Sequence, residues 1–395
     1  MNQFNDYVVS RFKEIFSDTP THYFECGGRM EIIGNHTDHN NGTCLVAGCS
    51  LGLYAAIRKT EDNVIHIVSD GYDDIYIDLA SLNGRREEFY TSKGIVRGVA
   101  AKFVIDKYKI GGFDAFITST IFDGAGISSS AAFEVLIAKI LEVLYNDQPL
   151  TKLALARISH YSETKYFGKP CGFLDQIGVA YGGLNHLDFK TEDEPVITKL
   201  NFDMPLHIYL VYTGASHAQL THLYKAIKDD MLFVADRVFH KPNLRLVTKD
   251  EFFTGIAYPV DGVSENQKLR AQHFIDELDR VEAARQAIIQ KDATGFLNAI
   301  RQSGFSSSSF LKNTMHGSYL TSPQRGLDLA NSVLKEGACR IHGGGFAGTI
   351  ICFVKEHEVE AFQATMIQAY GERNVREVDI RQEGATYLCL TSPSK

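Results

Sequence analysis

Apolar and polar residues alternate along the chain with two different periods, and these periods predict helices and strands in irregular order. Residues 5–16 repeat apolar positions at helical spacing and predict an opening helix. Apolar, β-branched runs in the first half predict strands at 43–58, 64–68, 75–79 and 113–120. The helical period predicts further helices at 94–108, 128–145 and about 151–166.

The second half of the chain mixes the two periods in the same way. Strands are predicted at 184–189, 195–202, 206–213, 349–354, 375–380 and 386–391. Helices are predicted at 266–303, 323–336 and about 357–370. Because the strands and helices do not follow a regular βαβ repeat, the pattern favours the α+β class. We expect two domains, residues 1–195 and 196–395, meeting between about 190 and 205.

Composition and charge narrow the functional classes. The 395 residues are 44% hydrophobic and 22% charged, which is typical of a globular protein. Forty Lys and Arg against 48 Asp and Glu give a net charge of −8, which argues against sequence-independent nucleic-acid binding. Charges interrupt the N-terminal apolar stretches, and no run reaches 18 apolar residues, so neither a signal peptide nor a membrane span is expected. Seven scattered cysteines without a CxxC pair predict reduced thiols and a cytoplasmic protein.

Residues 27–42 concentrate polar and ionisable side chains between predicted strands, and we interpret them as a loop. One hypothesis is a polyol site in which Asp38 accepts two adjacent hydroxyls while His36 and Asn35 bind others. A second is a metal site, since His36, Asp38 and His39 are ligand types. A solvated turn stabilised by Asn, Asp and Gly is the third.

Residues 123–132, DGAGISSSAA, follow a predicted strand and open a long helix. The unpaired N–H groups and positive dipole end of a helix N-terminus suit a phosphate. The Walker pattern GxxxxGK[ST] is absent. A helix capped by serine after a glycine turn is the alternative.

Two further segments carry candidate chemistry. In residues 169–176, Asp175 lies among Phe173, Leu174 and Ile177, so its carboxylate is expected to be paired or hydrogen-bonded. It is a candidate general base or orienting group, or else a helix cap.

Residues 343–348 match GxGxxG, but a predicted strand follows instead of a helix, which excludes a nicotinamide dinucleotide site. A tight glycine loop remains.

These four segments, in this order, resemble the galactokinase family of the GHMP small-molecule kinases. The family pattern GRxNxIGEHTDYNxG is similar to GRMEIIGNHTDHNNG at 28–42, and GxGLSSSAA to GAGISSSAA at 124–132. CGxMDQ is similar to CGFLDQ at 171–176, and GAGFGG to GGGFAG at 343–348. The resemblance implies a two-domain α+β fold with the active site between the domains. It also implies ATP-dependent phosphorylation of a sugar at its anomeric hydroxyl, with D-galactose as the expected substrate.

The resemblance also implies roles for individual residues. Asp175 matches the catalytic Asp that faces the sugar O1, and Arg29 matches the Arg that pairs with it. Ser130 and Glu163 match the residues that bind Mg²⁺, the expected cofactor beside ATP. The implied sugar-binding residues are Asn35, His36, Asp38, Gly172 and Tyr224. The implied ATP-binding residues are Gly124, Ala125, Gly126, Ile127, Ser128, Ser129, Ser130 and Ala131.

Three departures from the family pattern affect these expectations. Asn35 stands where the family has the Glu expected near the C6 hydroxyl, and His39 stands where it usually has Tyr. Phe122 and Asp123 replace a Pro-hydrophobic pair before the glycine loop. A kinase for a C6-altered galactose such as galacturonate therefore stays open. A non-catalytic sugar sensor is disfavoured, because residues 130–132 and the catalytic Asp are retained.

Overall fold

The computed structural model describes residues 3–121, 126–169, 171–191, 194–215 and 220–390. Within this part of the chain, no helix is both long and apolar enough to cross a membrane. Phe122, Asp123, Gly124 and Ala125, about which the sequence makes predictions, lie outside the described residues.

The first sheet of the described chain has eight strands and is built around one long strand. Its main path runs β12-β1-β2-β5-β3-β4, with β6 and then β7 attached to β2. The 17-residue β2 pairs with β6 along its first half and with β5 along its second half. The strands are β1 (His22–Ile33), β2 (Thr43–Lys59), β3 (Val64–Ser69), β4 (Ile75–Asp78), β5 (Phe113–Ser119), β6 (Leu184–Asp188), β7 (Val196–Leu200) and β12 (Thr386–Cys389).

Helices bury one face of this sheet, and the first helix covers the other. The large core includes Phe24, Ile57 and Phe103. On the opposite side, Val8 and Phe12 of the first helix pack on strand residues. The helices are α1 (Gln3–Phe16), α2 (Ser92–Ile105), α3 (Ser129–Tyr145), α4 (Lys152–Ser162) and α5 (Leu174–Tyr181), and a π-helical turn at Glu163–Phe167 follows α4.

The second sheet is antiparallel, with the order β11-β8-β10-β9 in the described chain. Leu327 and Phe362 pack on one side of it, and a second core joins its other side to the first sheet. Its strands are β8 (His207–Tyr212), β9 (Ala338–Ile341), β10 (Thr349–Val354) and β11 (Val375–Val378). The helices of this half are α6 (Thr221–Phe239), α7 (Lys249–Ile256), α8 (Glu265–Gln290), α9 (Ala293–Ser306), α10 (Pro323–Val333) and α11 (Val359–Tyr370).

The last part of the chain returns to the first sheet. Backbone hydrogen bonds join Ser50 N–H to Asp379 O (3.0 Å) and Gly183 N–H to Arg381 O (2.7 Å). Strand β12 then pairs antiparallel with the start of β1. The division at residue 195 stays a prediction.

The predicted mixture of helices and strands is confirmed, but the loop predicted at 27–42 is wrong in its first part. Strand β1 continues to Ile33, and the turn begins only after it. Glycines and charged side chains conceal a strand that is buried on both faces, where the alternation of a half-exposed strand does not apply. Strand β9 and helices α5, α6 and α7 were also not predicted.

Candidate active site

A cleft runs between β1 with its following turn, the starts of α3 and α5, and the second half of the chain. The second half contributes the start of α6 and the glycines after β9. Residues from all four sequence segments line this cleft. Those used below are Arg29, Glu31, Asn35, His36, Asp38, Gly126, Ser128, Ser130, Lys169, Gly172, Asp175, Tyr224, His342, Gly343 and Gly344.

Arg29 on β1 connects the glycine loop to Asp175. The register of β1 against β2 shifts between Gly27 and Arg29, an irregularity that re-aims side chains. The buried guanidinium donates Nε–H to Asp175 Oδ1 (2.8 Å) and Nη1–H to Gly126 O (2.8 Å). Ser128 Oγ–H donates to the other carboxylate oxygen of Asp175 (2.6 Å). Three segments that are distant in sequence therefore meet at one carboxylate.

Asp175 lies in the first turn of α5 and is held as an anion. Burial acts to raise its pKa, but Arg29, Lys169 and the Ser128 hydroxyl outweigh burial and hold the pKa below its ordinary value. The side chain binds Arg29 and Ser128 instead of capping a helix. The carboxylate is thus ionised, oriented and directed at the cleft.

At the start of α3, the hydroxyl of Ser128 binds a residue of the cleft and does not cap the helix. Ser128 occupies the N-cap position in the left-handed region (φ 56°), and its hydroxyl makes no cap bond because it binds Asp175. Gly28 passes so close that an added Cβ would lie 2.6 Å from Ile127 O. The alternative of a serine cap is therefore wrong for Ser128. Besides Ser128, the structure describes these members of the predicted phosphate loop: Gly126, Ile127, Ser129, Ser130 and Ala131.

Ser130 and Glu163 lie side by side deeper in the site. Ser130 Oγ–H donates to Glu163 Oε1 (3.0 Å), and Lys169 Nζ donates to the same oxygen (2.9 Å). Gln176 Nε2 donates to the other oxygen of this buried carboxylate. A hydroxyl and a carboxylate fit Mg²⁺, which prefers oxygen donors and takes further ligands from phosphates and water.

Asp38 and Gly172, both predicted to bind the sugar, lie against each other in the cleft. A methyl group on Gly172 would overlap Asp38 Oδ2, so the glycine leaves room for the carboxylate. Burial, with added repulsion from Asp175 and Glu31, raises the pKa of Asp38 to about 7.

The two histidines of this turn bind each other. The partners assign the tautomers: Asn40 Nδ2–H donates to His39 Nδ1 (2.9 Å), and His39 Nε2–H donates to His36 Nδ1 (3.0 Å). His36 Nε2–H donates to Gly344 O (2.9 Å). Burial lowers the pKa of His36 to about 4, so the ring is neutral. With these nitrogens engaged, the described residues contain no cluster of three or more His, Cys, Asp or Glu set to hold a metal.

Asn35 and Glu31 form a buried pair beside the glycines that follow β9. Asn35 Nδ2–H donates to Glu31 Oε1 (3.0 Å) and to Gly343 O (2.6 Å). Arg340 Nη2–H donates to the same oxygen of Glu31 (3.1 Å). Burial raises the pKa of Glu31 although Arg340 and Arg29 act against it.

Tyr224 on α6 packs against the glycine loop. Its hydroxyl donates to Gly345 O (3.2 Å), and a Cβ on Gly344 would lie 2.6 Å from its ring. Burial raises the pKa of Tyr224 to about 12. The predicted tight glycine loop is confirmed. It lies between β9 and β10, so a strand follows it, as predicted, where a dinucleotide-binding loop would open a helix.

Comparison with known proteins shows sequence similarity to sugar kinases. The model of the GHMP kinase N-terminal domain matches residues 94–183, and the galactokinase galactose-binding signature matches residues 10–59. These two parts of the chain are similar to GHMP kinases. The galactokinase of Streptococcus thermophilus is 28% identical over 375 residues, covering 92% of each chain. That of Streptococcus suis is 27% identical over 376 residues, covering 93% of each.

Solved structures share the fold of this chain. A crystal structure of Lactococcus lactis galactokinase complexed with galactose has a TM-score of 0.83 at 24% identity, covering 98% of this chain and all of the other. A mevalonate kinase structure has a TM-score of 0.64 at 14% identity, covering 91% of this chain and 99% of the other. The predicted α+β fold and sugar kinase class are confirmed.

Several partners in this cleft were not predicted from the sequence. Lys169 holds Glu163, Arg340 holds Glu31, and Asn313 donates to Asn35 Oδ1 (2.8 Å). Lys169 is the first residue of the 169–176 segment, but no role was predicted for it. Glu31 stands where the quoted family pattern has Asn, a signal that the analysis did not use. Asn313 follows a helix without a motif, and no sequence signal marks it.

Proposed function

We propose that this protein transfers the γ-phosphoryl group of ATP to the anomeric hydroxyl of D-galactose. The observation that supports this proposal most strongly is the Arg29–Asp175–Ser128 cluster. The cluster joins strand β1, on the proposed sugar side, to the start of helix α3, on the proposed phosphate side. An anionic carboxylate between those two sides suits a hydroxyl nucleophile on one side and a phosphoryl group on the other.

Asp175 orients the nucleophile in this mechanism. The sugar O1–H donates to the Asp175 carboxylate, and O1 forms a bond to the γ-phosphorus as the bond to the β,γ-bridging oxygen breaks and ADP leaves. Because its pKa is held below the ordinary value, Asp175 is a weak base at the start. The hydroxyl proton becomes acidic as the new O–P bond forms, and it passes to Asp175 late in the transfer. Arg29 keeps the carboxylate in place.

The start of α3 binds the phosphates. Ser129 and Ser130 line the cleft in the first turn of this helix, and in this proposal their backbone N–H groups and hydroxyls bind the phosphates. Ser130 and Glu163 would hold Mg²⁺, which neutralises phosphate charge during transfer when it is bound. Lys169 lies on the same carboxylate and adds a positive charge there.

On the sugar side, Asp38 accepts two adjacent hydroxyls, and Gly172 gives the carboxylate its room. Tyr224 contacts the sugar, while His36 supports the glycine loop at Gly344. Glu31 also lines this side and would repel a C6 carboxylate, so galactose is favoured over galacturonate. The cytoplasm is the proposed location, since the described cysteines are free.

An ADP-release assay with a hexose panel tests the proposal. Galactose, glucose, mannose and galacturonate are compared with saturating ATP and Mg²⁺, and the product is identified by ³¹P NMR. We expect galactose to give the largest kcat/KM and an anomeric phosphate. Equal turnover of galacturonate would favour the C6-acid alternative, and no turnover of any sugar would refute the proposal.

A further inference from the structure

A carboxylate and an amide have exchanged places on the sugar side of the cleft. The family pattern GRxNxIGEHTDYNxG has Asn and Glu at the positions that correspond to 31 and 35, whereas this chain has Glu31 and Asn35. The two side chains are hydrogen-bonded, with Asn35 Nδ2 and Glu31 Oε1 3.0 Å apart. The pair therefore keeps one carboxylate and one amide but reverses which residue carries the charge.

The amide of Asn35 is fully used by the protein. Its Nδ2 donates to Glu31 and to Gly343 O, which uses both of its hydrogens. Its Oδ1 accepts from Asn313 Nδ2 (2.8 Å) and from Ser307 Oγ (3.4 Å), which uses both lone pairs. A sugar hydroxyl could bind Asn35 only by displacing one of these buried bonds, which is costly.

Glu31, in contrast, keeps one oxygen for a ligand. Oε1 accepts from both Asn35 and Arg340. Among the described residues, Oε2 has no hydrogen-bond partner, and Glu31 lines the cleft. Its backbone is also fixed, because its N–H donates to His342 Nε2 (3.0 Å). Oε2 is a positioned acceptor on the sugar side.

The strand places this acceptor at a suitable distance from the phosphoryl side. Arg29 and Glu31 pair with Gly48 and Val46 in regular register, so they share one face of β1. A rise of about 3.3 Å per residue puts them roughly 7 Å apart along the strand. A hexose whose O1 lies at Asp175, beside Arg29, is long enough to reach Glu31 along the strand.

We infer that Glu31, and not residue 35, is the charged acceptor for a hydroxyl of the sugar, namely O6 of galactose. The inference rests on the proposed function. The hydroxyl is assigned to O6 because the resemblance places O6 beside residue 35, to which Glu31 is directly bonded. Arg340 and Asn35 hold the carboxylate, and the sugar hydroxyl donates to its remaining oxygen.

The test compares galactose with 6-deoxy-D-galactose, which lacks only the O6 hydroxyl. The ratio of the two kcat/KM values from one preparation is independent of the fraction of active protein. We expect wild type to favour galactose by at least about tenfold, as a hydrogen bond to a charged group predicts. Glu31→Gln should bring the ratio close to one, mainly by lowering the galactose value.

Two further variants strengthen the test. Glu25→Gln is the matched control, because Glu25 also lies on β1 and pairs with an arginine, Arg381, but is absent from the cleft lining. It should keep the wild-type ratio. The exchange variant Glu31→Asn/Asn35→Glu retains one carboxylate in the pair, so Arg340 keeps an anionic neighbour. It should recover a ratio well above that of Glu31→Gln.

The outcomes separate this inference from the proposed function. If wild type phosphorylates no hexose, the proposed function fails and the inference loses its basis. If wild type is active on galactose but Glu31→Gln leaves the ratio unchanged, the inference alone is overturned. An equal loss on both sugars would overturn it as well, because the lost contact would then not involve O6. An exchange variant no more selective than Glu31→Gln would contradict the pairing of the two residues.

Discussion

The aspartates at the two ends of the cleft have pKa values that are shifted in opposite directions. At the phosphoryl end, Asp175 lies between Arg29 and Ser128, and its pKa is held below the ordinary value. At the sugar end, the pKa of Asp38 is raised to about 7, and that of His36 is lowered to about 4. Asp175 is thus held as an anion, whereas burial favours the neutral forms of Asp38 and His36.

The difference arises from neighbours, because both aspartates are shielded from water. Asp175 has Arg29 and Lys169 as cationic neighbours, whereas the strongest charged neighbours of Asp38 are Asp175 and Glu31. A carboxylate without a close cation shifts toward its neutral form. Asp175 is therefore ionised at neutral pH, whereas the ionisation of Asp38 changes near pH 7.

Removing the fixed charge should have the largest effect. Asp175→Asn keeps the shape of the side chain but not its charge, and we expect turnover to fall by at least about 10²-fold with little change in ATP binding. Asp114→Asn is the matched control, because Arg58–Asp114 (2.7 Å) is a similar ion pair outside the cleft lining. Near wild-type turnover in Asp175→Asn would remove the carboxylate from the mechanism.

Displacing Asp38 should affect the sugar end alone. Gly172→Ala puts a methyl group where Asp38 Oδ2 lies, so we expect kcat/KM for galactose to fall by roughly tenfold to 10²-fold while KM for ATP is unchanged. Gly84→Ala is a suitable control, since the nearest atom to its added methyl group is 3.6 Å away. Equal losses for both substrates would show that the two ends are not independent.

The pH dependence of sugar binding should follow Asp38. Its raised pKa favours the neutral form below about 7, so the ionised acceptor becomes more populated as the pH rises. We expect KM for galactose to fall about tenfold between pH 6 and pH 8, and Asp38→Asn to remove this dependence. Asp175 stays ionised over this range. A flat profile in the wild type would argue that Asp38 is not the titrating acceptor.

The magnesium requirement should change least. Ser130→Ala removes one neutral oxygen, so the Mg²⁺ concentration at half-maximal turnover should rise about threefold. Glu163→Gln should raise it further, and more than it raises KM for galactose. Ser332→Ala, which removes a hydroxyl outside the cleft lining, serves as the control. Magnesium titrations that superimpose for Ser130→Ala, Glu163→Gln and wild type would contradict this role.

Local patterns were enough to predict most helices and strands. Helix α3 and strand β2, for example, coincide with strong apolar runs. They failed at β1, where Gly27, Gly28, Arg29 and Glu31 replace the apolar residues expected of a buried strand. The roles of Arg29 and Asp175 came from the resemblance, because 146 positions separate the two residues. The pKa shifts and the Glu31–Asn35 pair depend on residues brought together only by folding.

The return of β12 to β1 also has a consequence for how the protein is made. A ribosome synthesises β1 before Thr386–Cys389, so the outer edge of the strand that carries Arg29 stays unpaired while the residues between them are made. Until then, the backbone groups of residues 22–25 lack their final partner, and such an open edge can pair with another nascent chain. The order of translation therefore leaves this edge of β1 exposed until β12 has been synthesised.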